Sequence, residues 1–506
     1  MPVETAVKHI LLFGAGKSAT VLIDYLKQLA AEKNWHVTVA DSNLQLVQQK
    51  VGVDANTKAV AADITDEATR KEYISNADLV ISLMPPHLHY LIAIDCIALK
   101  KHLLTASYVD DDIRKHAEAI SENNILFLYE MGLDPGIDHM SAMQLIHSIK
   151  EQGSKITSFK SHCGGLIAPE SDDNPWHYKI SWNPRNIIMA GKAGAVYKEN
   201  GETVSLKYEE LFSDKHGVEV PGLGWYAYYP NRDSFGYLSL YDLEEANTFI
   251  RTTLRHPDFC FGWKNIVDLK LTDEEKVYET DGLTISAFFR QHFEKHGFGE
   301  WLAKLLGSRL EYAKNMMEQL MNLMQAEKEA INEGEEPDDD FMMIDEKGKL
   351  TTLNVDEVKS LAAESVAVQM HEANLTLKQL FFLGLNDDTP INKGLCSAAD
   401  IMQFVAETKL ALQPGDKDMI IMLHEIEYET EKGKAATKSS LIVKGNDNIH
   451  TAMAKTVGLP LGIAAKLILE GEINETGLHI PNRPSVYKPV LEELKRYNIS
   501  FNEIKS

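Results

Sequence analysis

A glycine-rich turn near the start of the chain has the residue types and the spacing to hold a phosphate group. Gly14, Gly16 and Ala19 form the pattern G-x-G-x-x-A between a short apolar run and a segment with apolar residues at helical spacing. Such glycines let the backbone approach a pyrophosphate, and the positive end of the next helix favours its charge. We expect a dinucleotide to bind at Gly14, Gly16, Lys17, Ser18 and Ala19. The alternative is a glycine turn in an α/β domain that binds no ligand.

An acidic residue at the end of the second apolar run bears on which dinucleotide binds. Asp41 closes the strand-like segment that starts at His36. A carboxylate at this position can accept a hydrogen bond from a ribose 2′-hydroxyl, and it repels a 2′-phosphate. The next residues, 42–44, include no arginine that could hold such a phosphate. The sequence therefore favours NAD over NADP.

Two later strand ends offer further cofactor contacts. Asp63 and Ile64 follow the third candidate strand and are expected to border the adenine, although Asp63 could instead be a loop acid or a helix cap. Met84 and Pro85 follow the fourth candidate strand, at the crevice edge where α/β folds bind ligands. They are expected to form a wall beside the nicotinamide, or to mark a turn.

Composition and charge exclude several classes of protein. The chain has 506 residues, with 51 Lys and Arg against 75 Asp and Glu, and a formal net charge of −24. This balance argues against nucleic acid and anionic membranes as partners, because both attract basic surfaces. The four cysteines are far apart and form no CxxC pair, so no metal site is predicted. We find no signal peptide or membrane-spanning segment, and we expect a cytoplasmic protein.

The order of apolar segments predicts the fold class. Strand-like and helix-like segments alternate over the first 130 residues, as in parallel α/β folds. We therefore predict a Rossmann dinucleotide-binding domain, a mixed α/β substrate and dimerisation domain, and an all-helical insertion. The predicted ranges are 1–135 for the Rossmann domain, 136–280 and 412–485 for the mixed domain, 281–411 for the insertion, and 486–506 for a C-terminal helix and tail. Six acids and a proline at 333–340 predict a solvated loop.

Four stretches together resemble the saccharopine dehydrogenase family of the L-glutamate-forming type. They are residues 105–108 (Thr-Ala-Ser-Tyr), 132–140 (Gly-Leu-Asp-Pro-Gly-Ile-Asp-His-Met), 163–170 (Cys-Gly-Gly-Leu-Ile-Ala-Pro-Glu) and 229–234 (Tyr-Pro-Asn-Arg-Asp-Ser). Residues 253–255, 453–460 and 462–466 add to the similarity, and residues 295–350 match least. The resemblance covers nearly the whole chain. It implies an enzyme that oxidises the secondary amine of saccharopine to L-glutamate and 2-aminoadipate 6-semialdehyde, a step of lysine metabolism. The sequence does not fix the oligomeric state, and we expect a homodimer.

The resemblance also implies the residues of the site. Saccharopine has three carboxylates, so arginines with bidentate geometry are the expected clamps. Ala106 and Ser107 are implied for the cofactor. For the substrate, the resemblance implies Ser107, Tyr108, Asp134, Arg232, Thr253, Leu254 and Arg255. Without the resemblance, Arg232 would be interpreted as a surface ion pair, Tyr108 as core packing and Asp134 as part of a turn.

Several side chains are candidates for the proton transfers that the implied reaction needs. Asp134 and Tyr108 come first, followed by Cys163, His162 and His139. Each of the last three has a structural alternative: a small buried apolar group, a strand histidine with satisfied hydrogen bonds, and a residue at a helix start, respectively. Motifs of hydrolases and kinases are missing from the sequence.

Two other functions stay open at this stage. One is a related reductase that acts on another amino-acid adduct, such as a carboxylated polyamine. The other is a non-catalytic protein that senses NAD and uses the acidic segment and the helical insertion as a partner surface.

Overall fold

The structure is a computed structural model that describes residues 7–213, 216–333, 340–344 and 350–505. The chain forms two compact units. The first contains Met1–Asp173, His177–Cys260 and Leu410–Ser506, and the second contains Asn174–Trp176 and Phe261–Lys409. Most of the predicted acidic loop at 333–340 lies outside the described residues.

The first sheet of the first unit has seven parallel strands. Six of them come from the N-terminal segment: β1 (His9–Phe13), β2 (His36–Asp41), β3 (Thr57–Ala61), β4 (Leu79–Ser82), β5 (His102–Thr105) and β6 (Leu126–Leu128). The helices of this segment are α1 (Thr20–Lys33), α2 (Leu44–Val51), α3 (Glu67–Ser75), α4 (Pro86–Ala98), α5 (Asp111–Arg114), α6 (Ala117–Glu122) and α7 (Ile137–Glu151). The order β6-β5-β4-β1-β2-β3 is that of a Rossmann fold, as predicted. Strand order reverses between β1 and β4, which opens a crevice at the carboxyl ends of the strands.

The second sheet of the first unit is mixed, as predicted, and has ten strands. Its first seven strands are β7 (Lys155–Ile167), β8 (Ala195–Glu199), β9 (Glu202–Leu206), β10 (His216–Val220), β11 (Gly224–Pro230), β12 (Arg232–Asp233) and β13 (Thr248–Arg255), with the short helix α8 (Pro184–Ile188) before β8. The central pair, β7 and β13, is parallel. Side chains alternate between the two faces of each strand, so only every second residue of β13 can point to one ligand.

The second unit is not all-helical, and it begins earlier than the predicted boundary at 281. Its elements are α9 (Pro257–Asp268), β14 (Lys276–Glu279), α10 (Ile285–His296), α11 (Phe298–Glu333), β15 (Asp340–Ile344), β16 (Leu350–Asn354), α12 (Val355–Leu383), β17 (Leu395–Ser397) and α13 (Ala398–Lys409). β14 pairs with β17, and β15 pairs with β16. The boundary moves to Phe261 because the end of α9 is tied to α10, where His292 Nε2 lies 2.7 Å from the Leu269 carbonyl oxygen.

The C-terminal segment returns to both sheets of the first unit. Its elements are β18 (Asp418–Thr430), β19 (Gly433–Lys444), α14 (Ala452–Leu469), β20 (Gly477–His479), α15 (Pro484–Leu494) and β21 (Asn502–Lys505). β18, β19 and β21 extend the second sheet, whereas β20 pairs with β6 in the first sheet. The predicted assignment of 412–485 to the mixed domain alone is therefore wrong. So is the separate tail at 486–506, because α15 buries apolar side chains against α7 and α14.

The helix α14 covers the first turns of α1. It is the one helix among the described residues that is long and apolar enough to cross a membrane, and 72% of that window is buried inside the fold. Such burial is typical of a core helix. A Cβ on Gly458 would lie 2.9 Å from the backbone nitrogen of Leu22, so the glycine lets α14 contact α1 directly.

We predict that Gly458→Ala destabilises the protein by about 1–3 kcal/mol, because the added methyl group meets backbone that cannot yield easily. Gly307→Ala is the matched control, since Gly307 lies in α11 with nothing within 4 Å of an added Cβ. That change should stabilise by about 0.5–1 kcal/mol through helix propensity. Urea unfolding measures both, and equal effects would contradict the close contact between α1 and α14.

Candidate functional site

The glycine turn lies where β1 ends, in the crevice between β1 and β4. Gly14 has a φ of +99°, and a Cβ there would lie 2.9 Å from the carbonyl oxygen of Leu83. Gly14 N–H donates to the Ala40 carbonyl oxygen at 2.8 Å. By contrast, a Cβ on Gly16 would meet nothing within 4 Å. One glycine is thus required by the close approach of β4, and the other leaves backbone open to a ligand. This arrangement fits a pyrophosphate, as predicted.

Asp41 is at the end of β2 and contacts the same turn. Its Oδ2 accepts a hydrogen bond from Ala15 N–H at 2.8 Å, and its Oδ1 accepts one from Asn43 N–H at 3.0 Å. Residues Lys17–Ala19 form a single 3₁₀ turn that leads into α1. Asp41 follows Ala15 by 26 residues, and the pairing of β1 with β2 places its carboxylate at the phosphate turn, as the sequence suggested.

The other predicted cofactor contacts have different positions. Met84 N would be 3.4 Å from a Cβ on Gly14, so the Met84–Pro85 segment lies directly beside the turn. Asp63 Oδ1 accepts hydrogen bonds from the backbone N–H and the hydroxyl of Thr65, at 2.9 and 2.7 Å. This is the loop-acid alternative for Asp63. The Ile64 side chain packs in the hydrophobic core. Only its backbone is available to a ligand, because the end of β3 turns that side chain inward.

The segments after β5 and β6 run side by side at the same edge. Met131 N–H donates to the Thr105 carbonyl oxygen, and Glu130 N–H donates to the Ser107 carbonyl oxygen, each at 3.0 Å. A Cβ on Gly132 would lie 2.9 Å from the Cβ of Ala106. Residues 106–108 and the turn with Asp134 are therefore neighbours, as the family resemblance implied.

A buried arginine that sequence reasoning missed holds this turn. Arg251 Nη2 lies 2.7 Å from Asp134 Oδ1 and 2.7 Å from Asp138 Oδ2. Its guanidinium carbon is also 4.4 Å from the ring centroid of Tyr237. Arg251 precedes Thr253 by two residues on β13, so strand alternation was a signal that could have found it. One cation thus orients both carboxylates.

The two carboxylates differ in proton affinity. Burial raises the pKa of Asp134 to about 6, against the opposing effect of Arg251 and with a further rise from the charge of Asp138. Burial would also raise the pKa of Asp138, but His139 and Arg251 hold it below its usual range. Asp134 is therefore the carboxyl of this pair that takes up a proton more readily.

A buried group of hydrogen-bonded side chains contacts this ion pair. His139 Nε2 is 2.8 Å from Glu130 Oε2, and its Nδ1 is 2.5 Å from the Tyr241 hydroxyl. The Tyr237 hydroxyl donates to Glu130 Oε2 at 3.0 Å. His139, a candidate for proton transfer, is fully buried. Its ring packs against Asp138 and Tyr237, which both contact Arg251. His139 therefore helps to hold these partners of Arg251 in place.

Arg255 lies on the same face of β13 as Arg251 and Thr253, but its surroundings differ. It is 4% exposed, and its Nη1 donates to the Leu254 carbonyl oxygen at 2.8 Å. Its Nε has no hydrogen-bond partner, and among the described residues no carboxylate lies within 4.0 Å of it. The rings of Tyr178 and Phe259 lie 5.4 and 5.5 Å from the guanidinium carbon. Arg255 is thus a buried cation without an acidic partner.

Leu254 does not join its neighbours at the site. Its side chain is fully buried in a core on the opposite face of the sheet, with Leu166 and Met419. The prediction of Leu254 as a contact followed a contiguous motif, whereas a strand shows one face only every second residue. Thr253 does face the site side, where it hydrogen-bonds with Tyr229.

Cys163 and His162 are adjacent on β7 and face opposite sides. Cys163 is paired with Thr253 across the parallel strands. Burial raises the pKa of its thiol well above the usual value, and the charges of Asp134 and Asp138 add to this. The Nδ1 of His162 is 2.7 Å from Thr252 Oγ1 on the other face. Cys163 is therefore at the site as a neutral thiol, and His162 is a strand histidine away from it.

Arg232 and Tyr108 meet at the outer rim of the site. The guanidinium carbon of Arg232 lies 5.4 Å from the ring centroid of Tyr108, and Arg232 is exposed. Burial raises the pKa of Tyr108 far above its usual value, and the charge of Asp134 adds to this. The predicted guanidinium pair thus consists of one buried and one exposed arginine.

A histidine cluster follows Arg255 directly. His177 lies between Asp172 and Asp258, with Nδ1 2.6 Å and Nε2 3.3 Å from their carboxylate oxygens. Its ring stacks on His256 with centroids 3.9 Å apart. The hydrogen bond with Asp258 raises the pKa of His177 to about 9, against burial and with help from Asp172. These contacts make His177 an imidazolium that is neutralised by two carboxylates.

We predict that Arg251→Met lowers the free energy of unfolding by about 3–5 kcal/mol, because it leaves Asp138 buried without its cation. Lys150→Met is the control, since Lys150 pairs with Asp242 at the surface, where such pairs contribute about 1 kcal/mol or less. Urea unfolding of both variants tests this. Equal small losses would show that Arg251 does not hold the turn.

Comparisons with known proteins agree with the resemblance seen in the sequence. A family model described as saccharopine dehydrogenase NADP binding domain matches residues 10–128, and one described as saccharopine dehydrogenase C-terminal domain matches residues 132–499. The structure of apo histidine-tagged saccharopine dehydrogenase (L-Glu forming) from Saccharomyces cerevisiae is similar, with a TM-score of 0.76 and 27% identity, over 99% of this chain and 100% of that chain.

Curated relatives show the same similarity. Alpha-aminoadipic semialdehyde synthase from Arabidopsis thaliana is 32% identical over 99% of this chain, which spans about half of that protein (45%). Saccharopine dehydrogenase [NADP(+), L-glutamate-forming] from Schizosaccharomyces pombe is 30% identical over 98% of both chains. The chain therefore belongs to the saccharopine dehydrogenase family.

Proposed function

We propose that this chain oxidises the secondary amine of saccharopine to an imine with a nicotinamide dinucleotide. Water then hydrolyses the imine to L-glutamate and 2-aminoadipate 6-semialdehyde, in a reversible step of lysine metabolism. The observation that carries the proposal is the buried Arg255, which has no acidic partner among the described residues. A buried cation of this kind is stabilised by an anionic ligand, and saccharopine has three carboxylates. Because the chain belongs to the saccharopine dehydrogenase family, we take saccharopine as that ligand.

The glycine turn supports binding of the dinucleotide. Gly14 has no room for a side chain, whereas the backbone at Gly16 is open on its outer side. A dinucleotide held at this turn would supply the acceptor for the hydride that leaves the carbon bonded to the amine nitrogen. The chain itself supplies binding, orientation and the exclusion of competing reactions.

Asp134 is proposed to hold the reacting amine. The nearby Arg251 guanidinium favours the ionised form of this carboxyl, which can then accept a hydrogen bond from the amine N–H. Arg251 fixes the direction of this carboxylate through their 2.7 Å contact. Tyr108 and Cys163 keep their protons at neutral pH, because burial raises the pKa of both. They therefore line the site as hydrogen-bond donors and do not act as bases.

The two arginines divide the binding of the substrate carboxylates. Arg255 is preformed and desolvated, which makes its bond to a carboxylate strong. Arg232 is exposed beside Tyr108, so it meets the substrate from the solvent side. The cytoplasmic location and the homodimer expected from the sequence stay predictions.

We expect the wild-type chain to reduce a nicotinamide dinucleotide with saccharopine in steady-state assays. Arg255→Met should lower kcat/KM by about a hundredfold, because a charge-assisted pair with a substrate carboxylate is lost. Its unfolding free energy should change little, since no buried acid of the described chain is left unpaired and the one hydrogen bond lost is that to the Leu254 carbonyl oxygen.

Arg483→Met is the control for this change. Arg483 pairs with Glu475 at the surface, and its loss should leave kcat/KM unchanged. A wild-type chain that forms no reduced cofactor with saccharopine and either NAD or NADP would refute the proposed function. Full activity of Arg255→Met would refute the role of Arg255 alone.

We propose further that NAD is preferred to NADP. The Asp41 carboxylate, held by the N–H groups of Ala15 and Asn43, puts negative charge at the ribose position. Lys50 lies under the turn and donates to the Gly16 carbonyl oxygen at 2.6 Å and to Thr20 Oγ1 at 2.8 Å. Its Nζ is engaged with the loop itself, so we assign it no role in holding a 2′-phosphate. The family description and the yeast relatives name NADP, which makes the identity of this residue informative.

We expect Asp41→Asn to lower the ratio of kcat/KM for NAD over NADP by about tenfold or more, because a like-charge repulsion of the 2′-phosphate is removed. The amide retains an oxygen that can accept the N–H of Ala15, so the turn is preserved. Asp41→Ser, which also removes that acceptor, should change the ratio similarly and weaken both cofactors. An unchanged ratio in both variants would show that Asp41 does not contact the ribose.

A further inference from the structure

A buried histidine links the ends of β4 and β5 at the crevice edge. His89 on α4 is 3% exposed, and its Nδ1 lies 2.8 Å from the hydroxyl of Ser82. Its Nε2 lies 2.6 Å from the hydroxyl of Ser107. Ser82 is the last residue of β4, and Ser107 is two residues beyond β5. The ring therefore bridges the two strand ends that border the open side of the glycine turn.

The direction of these hydrogen bonds follows from burial. The Ser82 hydroxyl is fully buried, and His89 is its one side-chain hydrogen-bond partner in the part of the chain that the structure describes. A buried hydroxyl proton without an acceptor is costly, so Ser82 donates to Nδ1. Burial lowers the pKa of His89 to about 4; the charge of Asp110 opposes this shift and that of His87 adds to it. The ring is therefore neutral and carries one proton. That proton is then on Nε2 and is donated to Ser107.

Among the residues that the structure describes, His89 is the one hydrogen-bond partner of the Ser107 hydroxyl, so this arrangement leaves the hydroxyl proton without an acceptor there. The oxygen of Ser107 accepts from His89, and its own O–H is available to a bound molecule. Ser107 is adjacent to Tyr108 and runs beside the segment that carries Asp134. Ser107 therefore lies in the same part of the crevice edge as the residues proposed to bind cofactor and substrate.

We propose that His89 is a positioning residue that makes Ser107 a hydrogen-bond donor to an oxygen of the bound ligand, either the carboxamide of the dinucleotide or a carboxylate of the amino-acid substrate. This inference rests on the proposed function. In this proposal His89 carries its proton on Nε2 and acts only through the Ser107 hydroxyl, without contacting either ligand itself.

Two amide replacements separate positioning from packing. The amide of Gln reaches about as far as Nε2 and can still donate to Ser107, whereas the shorter Asn reaches only the position of Nδ1. With saccharopine, His89→Gln should keep kcat/KM within about threefold of wild type, and His89→Asn should lose about tenfold, as Ser107→Ala does. The double variant His89→Asn/Ser107→Ala should lose no more than either single variant, because both remove one interaction. His87→Gln, an exposed change on the same helix, should have no effect.

Three readouts accompany these rates. A melting temperature for each variant shows that the chain folds. The Kd for NADH without substrate rises in His89→Asn if the acceptor is the carboxamide, and only the KM for saccharopine rises if it is a carboxylate. The pH profile of His89→Gln should parallel that of wild type, because a neutral ring transfers no proton.

Equal losses in the Gln and Asn variants, or additive losses in the double variant, would overturn the inference. So would the disappearance of one limb of the pH profile in His89→Gln, which would mean that His89 transfers protons. A wild-type chain without activity on saccharopine would refute the proposed function instead. In that case only the carboxamide remains as the acceptor: a higher Kd for NADH in His89→Asn than in wild type would support the inference, and an unchanged Kd would overturn it.

Discussion

The pairing of one buried guanidinium with two carboxylates holds the site together. Arg251 belongs to the second sheet, whereas Asp134 and Asp138 follow the last strand of the N-terminal segment of the first sheet. Without the cation, the two acids would repel each other at a place with little solvent. The turn at 132–138 therefore closes on β13, and the direction of the Asp134 carboxylate into the crevice is a consequence of that pair.

Arg255 lies four residues further along the same face of β13, and it differs from Arg251 in having no acidic partner among the described residues. Arg255 is as buried as Arg251, but no acid of the described chain neutralises it. Aromatic rings lie near it and reduce its contact with water without cancelling its charge. In a protein with a net charge of −24, such a local positive potential is a specific feature, and it attracts anions that the rest of the surface repels.

Much of the architecture follows from local patterns, because parallel strands buried on both faces are continuous apolar runs. The glycine turn and Asp41 were found for this reason, as both directly follow such runs. Strand alternation puts the side chain of Leu254 on the face of the sheet opposite to Arg255, which the contiguous motif did not indicate. Arg251 was missed although the same alternation points to it, since its partners are more than 110 residues away in sequence.

Long-range placement explains the other differences. The three residues of β20 are too short for a periodic signal, and only the pairing with β6 assigns them to the first sheet. The role of His89 could not be predicted from the sequence for the same reason. Its two serine partners lie at or just beyond the ends of different strands, and only the pairing of those strands brings both serines within reach of one ring. The second unit begins before the predicted boundary because a backbone carbonyl at the end of α9 bonds a histidine of α10.

The late arrival of β20 and α14 affects how the chain can be divided. The N-terminal segment contains six of the seven strands of its sheet, but the outermost strand and the cover over α1 are synthesised more than 300 residues later. During translation this segment therefore exposes an unpaired strand edge and an apolar helix surface until the last tenth of the polypeptide emerges. The nucleotide-binding segment is therefore completed by residues from the C-terminal part of the chain, although its sequence reads as a self-contained module.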